Sequence, residues 1–262
     1  MYGLPFRIGT TSYILPDEIL PNVRYLAGQV EDVELVLFEI DDGPNNLPDE
    51  RVLEELNRLA GQHQLSYTVH LPLDLRLATD EGEQHISMQK ARKVIDCTRS
   101  LNPWAYVLHL DGKELLASGT VSARARWVRQ AVQALEAASA WAGSSSLLAI
   151  ENLEQYPLDF LDGIFEQFPA SRCIDIGHLW LDGHDPIPYL KRNLGLARVL
   201  HIHGIGDRDH QSLSHVPANE LARVLNFLRD ADFRGVMTIE VFGEDELQTS
   251  LEAIQIALGR LD

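Results

Sequence analysis

Cysteine is nearly absent: Cys97 and Cys173 are the two in 262 residues. Two cysteines cannot form the framework of bridges that staples small secreted domains, so a reducing cytosol is the expected compartment. No apolar run approaches the roughly 18 residues that a membrane helix requires. The N-terminal stretch MYGLPFRIGTTSY lacks the long apolar core of a signal peptide. Positive charge is scarce, since 22 Lys and Arg face 39 Asp and Glu for a formal net charge of −17. Phosphate backbones attract basic surfaces, so this balance argues against DNA or RNA as the main partner. It leaves room for a small anionic substrate held locally. Ser/Gly linkers, low-complexity tracts, a G-x-S-x-G nucleophile elbow and a P-loop are missing as well. With no internal boundary, residues 1–262 read as one domain.

What is present is an ordinary globular balance, 45% hydrophobic and 23% charged. Short β-branched runs alternate with longer segments of helical spacing. The expected strands are Phe6–Tyr13, Asp32–Glu39, Ser66–Leu71, Trp104–Leu110, Leu147–Asn152, Arg172–Ile176, Arg198–Gly204 and Val236–Phe242. The expected helices include Pro48–His63, Thr120–Ala142, Pro217–Leu228 and Asp245–Leu258. Eight such alternations imply parallel βαβ units. Their number and the chain length fit a single (β/α)8 TIM barrel, with an open doubly wound sheet as the runner-up.

The polar residues favour the barrel, whose active sites lie at the C-terminal strand ends. There the sequence places Glu39, His70, His109, Glu151, Asp175, His201 with His203, and Glu240, each after an apolar run. Charges buried singly at such positions cost several kcal/mol unless paired or bound to metal. One imidazole at a strand end is more often a structural hydrogen-bonding residue. Carboxylates and imidazoles at the same end of seven strands point to divalent metal: Zn, Mn, Fe or Co, with two or more sites. His178 lies three residues beyond Asp175, and Gly177 between them lets the chain bend. The loop after strand seven adds Asp209 and His210, two further potential ligands. Arg208 in that loop and Arg76 after strand three are candidate anion contacts on the substrate, and Glu39 is a candidate helper beside the ligands. Cys173 reads as a core side chain, and Trp127 and Trp141 as helix packing.

The order His70, His109, Glu151, Asp175-x-x-His178, His-x-His, Asp209-His210, Glu240 resembles the xylose-isomerase-like TIM barrels over essentially the whole chain. That superfamily includes endonuclease IV and many sugar isomerases and epimerases. The N-terminal third adds a narrower resemblance. Gly9-Thr-Thr-Ser-Tyr-Ile-Leu-Pro16, Ile19-Leu-Pro-Asn-Val23, Val33-Glu-Leu-Val-Leu-Phe-Glu39 and Tyr67-Thr-Val-His-Leu-Pro-Leu-Asp-Leu75 look like the cobamide-remodelling phosphodiesterases of the CbiR family. This resemblance implies hydrolysis of a phosphoester in the lower nucleotide loop of cobamides. Two departures separate the chain from the apurinic-site endonucleases. Asp209 and His210 are adjacent, where that family has Asp-x-His, and His201 is followed by Ile-His-Gly instead of Asn-Asp. Which of His201 and His203 binds metal stays open.

The leading expectation is a metal-dependent hydrolase, a phosphodiesterase with Glu151, Glu240, His178 and His210 at the chemistry. The alternative is a sugar phosphate isomerase or epimerase with one metal on Glu151, Asp175, a strand-seven His and Glu240, where the two glutamates shuttle a proton. An apurinic-site endonuclease and a non-catalytic metal-binding barrel rank below both. The expected partner is a small molecule, a cobamide or a sugar phosphate, and neither nucleic acid nor membrane.

Overall fold

The computed structural model describes residues 3–38, 45–73 and 75–259. The first half runs β1 (Arg7–Thr11), α1 (Ile19–Leu26), β2 (Asp32–Val36), α2 (Glu50–His63), β3 (Ser66–His70), α3 (Ile86–Thr98), β4 (Tyr106–Leu108), α4 (Lys113–Ser118) and α5 (Val121–Ala142). The second half runs β5 (Leu148–Glu151), α6 (Asp162–Phe165), β6 (Ser171–Asp175), α7 (Ile176–Leu181), α8 (Pro186–Asn193), β7 (Ala197–Ile202), α9 (Ala218–Asp230), β8 (Val236–Ile239) and α10 (Glu244–Ala257). Every strand pairs in parallel with its neighbour in sequence, and β1 pairs with β8 to close the barrel. That closing ladder excludes the open sheet. No described helix is long and apolar enough to cross a membrane.

Local signals explain where the helices begin and end. Asp49 caps α2 by accepting a hydrogen bond from the Val52 amide at 2.9 Å, and Thr120 caps α5 through Ala123. Gly143 ends α5 in the left-handed region at φ 92°. The helices turn apolar stripes inward, as with Leu56 and Leu59 of α2 or Leu221, Val224, Leu225 and Leu228 of α9. These pack on outward strand residues such as Val33, Leu35 and Ile174 to form the main core.

Inside the barrel the period of two sets a regular pattern. Each donor residue stands two positions after a smaller side chain that fills the layer below: Thr68 before His70, Val107 before His109, Ala149 before Glu151, Cys173 before Asp175, Val199 before His201 and Thr238 before Glu240. Val107, Ala149, Cys173 and Val199 pack together with Ala105 as a separate apolar cluster, which gives Cys173 the core role expected of it. At the N-terminal mouth Trp104 lies between two guanidinium groups, Arg7 at 4.1 Å and Arg198 at 4.0 Å from its ring centre. The barrel interior is therefore solid below the donor layer.

The ladders are shorter than the apolar runs suggest. His109, Asn152, His203 and Glu240 each lie just past the last paired residue of their strands. Strand pairing stops where side chains turn from packing to the open end of the barrel.

Two changes test this frame. A Cβ at Gly9 would sit 2.9 Å from the Asp32 carbonyl oxygen and 3.0 Å from its Cβ, both fixed in the barrel wall. Gly9→Ala is expected to lower stability by about 1–3 kcal/mol in denaturant titration. Asp32 is fully buried, and burial pushes its carboxyl up to about 7 despite the Ser66 hydroxyl and the Arg7 charge. Because the folded value lies above the unfolded one, stability falls as pH rises from about 4 to about 7. Asp32→Asn removes a penalty of up to about 4 kcal/mol, so it should raise the melting temperature more at pH 8 than at pH 5. An equal effect at both would refute this.

Candidate metal centre

Six strands, β3 to β8, deliver donors to one place. Four groups of donor atoms lie within 4.8 Å of one another among the described residues: His70, His109 and Glu151; Glu151, Asp175, His201 and Glu240; Glu151, Cys173 and His201; and His178, His203 and His210. Glu151 belongs to the first three, and the Cys173 thiol approaches from the layer below. Its Oε2 stands 3.1 Å from His109 Nε2, 3.4 Å from His70 Nε2 and 3.6 Å from His201 Nδ1. Its Oε1 stands 3.6 Å from His178 Nδ1. Glu240 Oε2 is 3.1 Å from His201 Nδ1 and 3.4 Å from His210 Nε2.

Most of the imidazoles have one nitrogen pinned, which aims the other at the centre. His70 Nδ1 donates to the Leu71 carbonyl at 2.7 Å, and His178 Nδ1 to the Asn152 carbonyl at 3.0 Å. His201 Nε2 donates to Glu34 Oε2 at 3.0 Å. Asp209 reaches both His203 Nδ1 at 3.3 Å and His210 Nδ1 at 3.1 Å. Outer carboxylates and carbonyls of this kind fix the tautomer and orientation of metal-binding histidines.

His70 and His109 turn their Nε2 atoms to Glu151 Oε2, but four other inward atoms are left over. Asp175 Oδ2, His201 Nδ1, His203 Nε2 and Glu240 Oε2 are buried and have no hydrogen-bond partner among the described residues. Such orphans are rare in folded proteins and need a reason. The His201–Glu240 separation of 3.1 Å supplies one. Two donors each about 2.0–2.2 Å from a common ion stand roughly 2.8–3.6 Å apart at coordination angles of about 90–110°. The donor set and its spacing therefore fit divalent metal.

The electrostatics agree. Burial pushes the Glu151 and Glu240 carboxyls up, and the imidazoles more than offset this, His109 and His201 for Glu151 and His201 for Glu240, leaving both well below the usual carboxylate range. Burial lowers His70 and His178, yet the carboxylates around them outweigh it and raise both to about 9. His203 and His210 are raised for the same reason, and His201 by Cys173 together with Glu34, Glu240 and Glu151 against its burial. Without metal, protons on these rings balance the buried carboxylates.

Sequence comparison matches the chain to the xylose isomerase-like TIM barrel family over residues 30–259. The chain belongs to this family. No curated protein matches it by sequence. Similar solved structures include a D-tagatose 3-epimerase-like protein at 18% identity, covering 97% of both chains with a TM-score of 0.76. Endonuclease IV from Thermus thermophilus is 19% identical, covers 97% of this chain and 99% of its own, and has a TM-score of 0.73. A probable 3-DHS dehydratase from Bacillus anthracis is 15% identical with a TM-score of 0.71, over 96% of this chain and 98% of that one. Across the family this one barrel serves several chemistries, so the reaction must be read from the site.

Within that barrel, the structure brings His70, His109, Glu151, Asp175, His178, His201, His203, His210 and Glu240 to one end. Both strand-seven histidines face the centre, His201 in the four-donor group and His203 in the outer one. Asp209 stands behind two imidazoles as their hydrogen-bonding partner. Arg208 is tied to Glu246 at 2.6 Å and to the carbonyls of Asp209 and His210, so it braces the loop. Arg76 is exposed and lines a separate hollow. Glu39 lies outside the described residues. Gly177 serves a different purpose from the bend expected of it: it sits within α7, and a Cβ there would fall 2.1 Å from His203 Nε2. Its smallness makes room for an imidazole.

Two residues escaped the sequence reading. Glu34 is fully buried and holds His201, and its signal was an acid at every second position, Asp32 and Glu34, inside an apolar run. Asn152 exchanges two hydrogen bonds of 3.0 Å with the Asp175 backbone and so locks the ends of β5 and β6 together.

Three outcomes are expected. Glu34→Ala should weaken metal binding 10–100-fold in a competition titration, with Glu34→Gln intermediate because it keeps an acceptor. Gly177→Ala should displace His203 and lower the metal content of the purified protein. Folded histidines titrating above their unfolded value stabilise the metal-free protein below about pH 6.5 and lose that contribution as pH rises through about 9. Chelator-treated protein should thus melt lower at pH 9 than at pH 6.5, while the stabilisation given by added Zn²⁺ grows over the same interval, since metal displaces those protons.

Proposed function

We propose that the chain is a metal-dependent phosphodiesterase acting on a small-molecule phosphoester. One observation carries the reading: Glu151 joins two donor groups, and a third group of imidazoles adjoins them. A single-metal proton shuttle needs one group, whereas in-line displacement at phosphorus uses adjacent metals that clamp the attacking and leaving oxygens.

Divalent metals held there supply Lewis acidity toward a phosphoryl group and an acidified water. Glu151, kept ionised by His109 and His201, spans the two inner groups and fixes their separation. Glu240, beside His201 and His210, is placed to take a proton from the incoming water. His210, the most exposed of the site's imidazoles and on a loop residue held at φ 52°, and His178 beside it would face the phosphate and leaving oxygen. Tyr156, Leu158 and Phe160 line a hollow together with Glu151 and His178, which gives the leaving alcohol an apolar wall. Residues 71–73 and 75–78, and the loop Gly204–His215, border the mouth. By its N-terminal resemblance to the CbiR family, the substrate is the nucleotide loop of a cobamide.

The second reading is a sugar phosphate isomerase or epimerase. Glu151, Asp175, His201 and Glu240 alone make a complete four-donor set, and sugar epimerases are among the similar structures.

Elemental analysis of protein purified without chelator or His-tag separates the two. Two or three equivalents of metal, reduced in Glu240→Gln, support the phosphodiesterase. One equivalent shifts the assignment to the isomerase, with His70 and His109 as substrate contacts. Adenosylcobalamin left intact by the metal-loaded protein under reducing, anaerobic conditions ends the cobamide assignment.

A further inference from the structure

A second hollow lies beside the metal centre, between the loops after β3 and β4 and the start of α5. It has a volume of about 280 Å³ and is floored by buried Trp127 and Gly112. Three cationic side chains line it, Arg76, Lys113 and Arg126, in a chain with a net charge of −17. Among the described residues none of the three makes a close ion pair, whereas Arg24, Arg58, Arg172, Arg192, Arg208 and Arg223 all do; Lys113 and Arg76 act on Asp111 only at longer range, where they help draw its carboxyl down.

The three acids of the same wall, Asp80, Asp111 and Glu114, already have partners of their own. Asp111 accepts from the Tyr156 hydroxyl at 2.6 Å and from the Lys113 amide at 3.0 Å. Asp80 accepts from the Gln130 amide. Thr79 lines this hollow, and its buried hydroxyl oxygen has no hydrogen-bond partner among the described residues. A buried hydroxyl without a partner is costly unless something fills the space before it.

The hollow shares a wall with the metal centre. Asp111 and Gly112 follow His109 directly, and Tyr156 bridges them, donating to Asp111 and accepting from the Gly112 amide at 3.1 Å. The other side of Tyr156 faces the cleft that holds Glu151 and His178. A ligand cut at the metals and extending over Tyr156 would reach the three cations.

We propose that this hollow is an anion subsite for a second phosphate or carboxylate of the substrate, remote from the ester that is cut. The proposal rests on the phosphodiesterase reading for the identity of the ligand, but not for the existence of the site. A protein this acidic repels anions at long range, so a local cluster of three cations without close ion pairs is how it would retain one. Lys and Arg meeting phosphate form the stronger, charge-assisted hydrogen bonds.

The test is calorimetric titration of inorganic phosphate into the metal-loaded protein, into a Lys113→Ala/Arg126→Ala variant, and into Glu240→Gln. Both cations are exposed, so melting temperature and metal content should be unchanged in the double variant. The expected result is two phosphate sites, one weakened at least tenfold by the double variant and the other weakened by Glu240→Gln. Phosphate binding that the double variant changes less than threefold overturns the proposal. A second arm compares two synthetic phosphodiesters that differ by a terminal phosphate on a short linker. The doubly anionic one should have a KM at least tenfold lower, an advantage that disappears in the double variant; an advantage retained there counts against the subsite. Absence of turnover on both, with the phosphate result intact, would reject the phosphodiesterase reading and leave the anion site standing.

Discussion

Buried negative charge is the constraint on which the rest of this structure depends. Glu151, Asp175 and Glu240 converge at one end of a barrel where water has little access. Carboxylates so close repel one another strongly in a poorly polarisable interior. Only cations can hold them there. The chain provides five or more imidazoles for the purpose, and their upward-shifted proton affinities show how tightly the charges are matched without metal. Metal and protons compete for the same atoms. Much of the surrounding hydrogen bonding, through Glu34, Asp209, Asn152 and the Leu71 carbonyl, settles which nitrogen of each ring takes part in that competition.

The barrel makes the convergence possible by geometry alone. Donors arrive on consecutive strands at the same height because each stands two residues beyond a small or branched side chain in the layer beneath. Where a ring needs more room, the neighbouring residue loses its side chain, as Gly177 does beside His203. Packing density below and donor crowding above are two consequences of one alternation.

Much of this was legible in the sequence. Eight apolar runs separated by helical patterns set the fold, and the imidazoles and carboxylates at their ends marked the functional face. The strand lengths were overestimated, because an apolar side chain just past β4 or β8 still packs after its backbone has stopped pairing. Glu34 was hidden by its position in mid-strand, where a charge is ordinarily a surface residue on the alternate face. Gly177 was seen, but for the wrong reason, since close approach of two distant segments leaves no trace in local spacing. Trp104 could not be anticipated either: its two guanidinium partners come from β1 and β7, far away in the chain.

That tryptophan has a wider consequence. With Trp104 wedged across the lower opening and small apolar side chains filling the space above it, the barrel is a cup with a single lip. Everything that enters or leaves must use the same doorway. Any ions held by these donors would have to be installed before a substrate arrived, and a bound substrate would be a stopper that slowed their escape. Chelators should therefore strip the resting protein faster than the working one, and product departure has to clear the lip before any lost ion can be replaced.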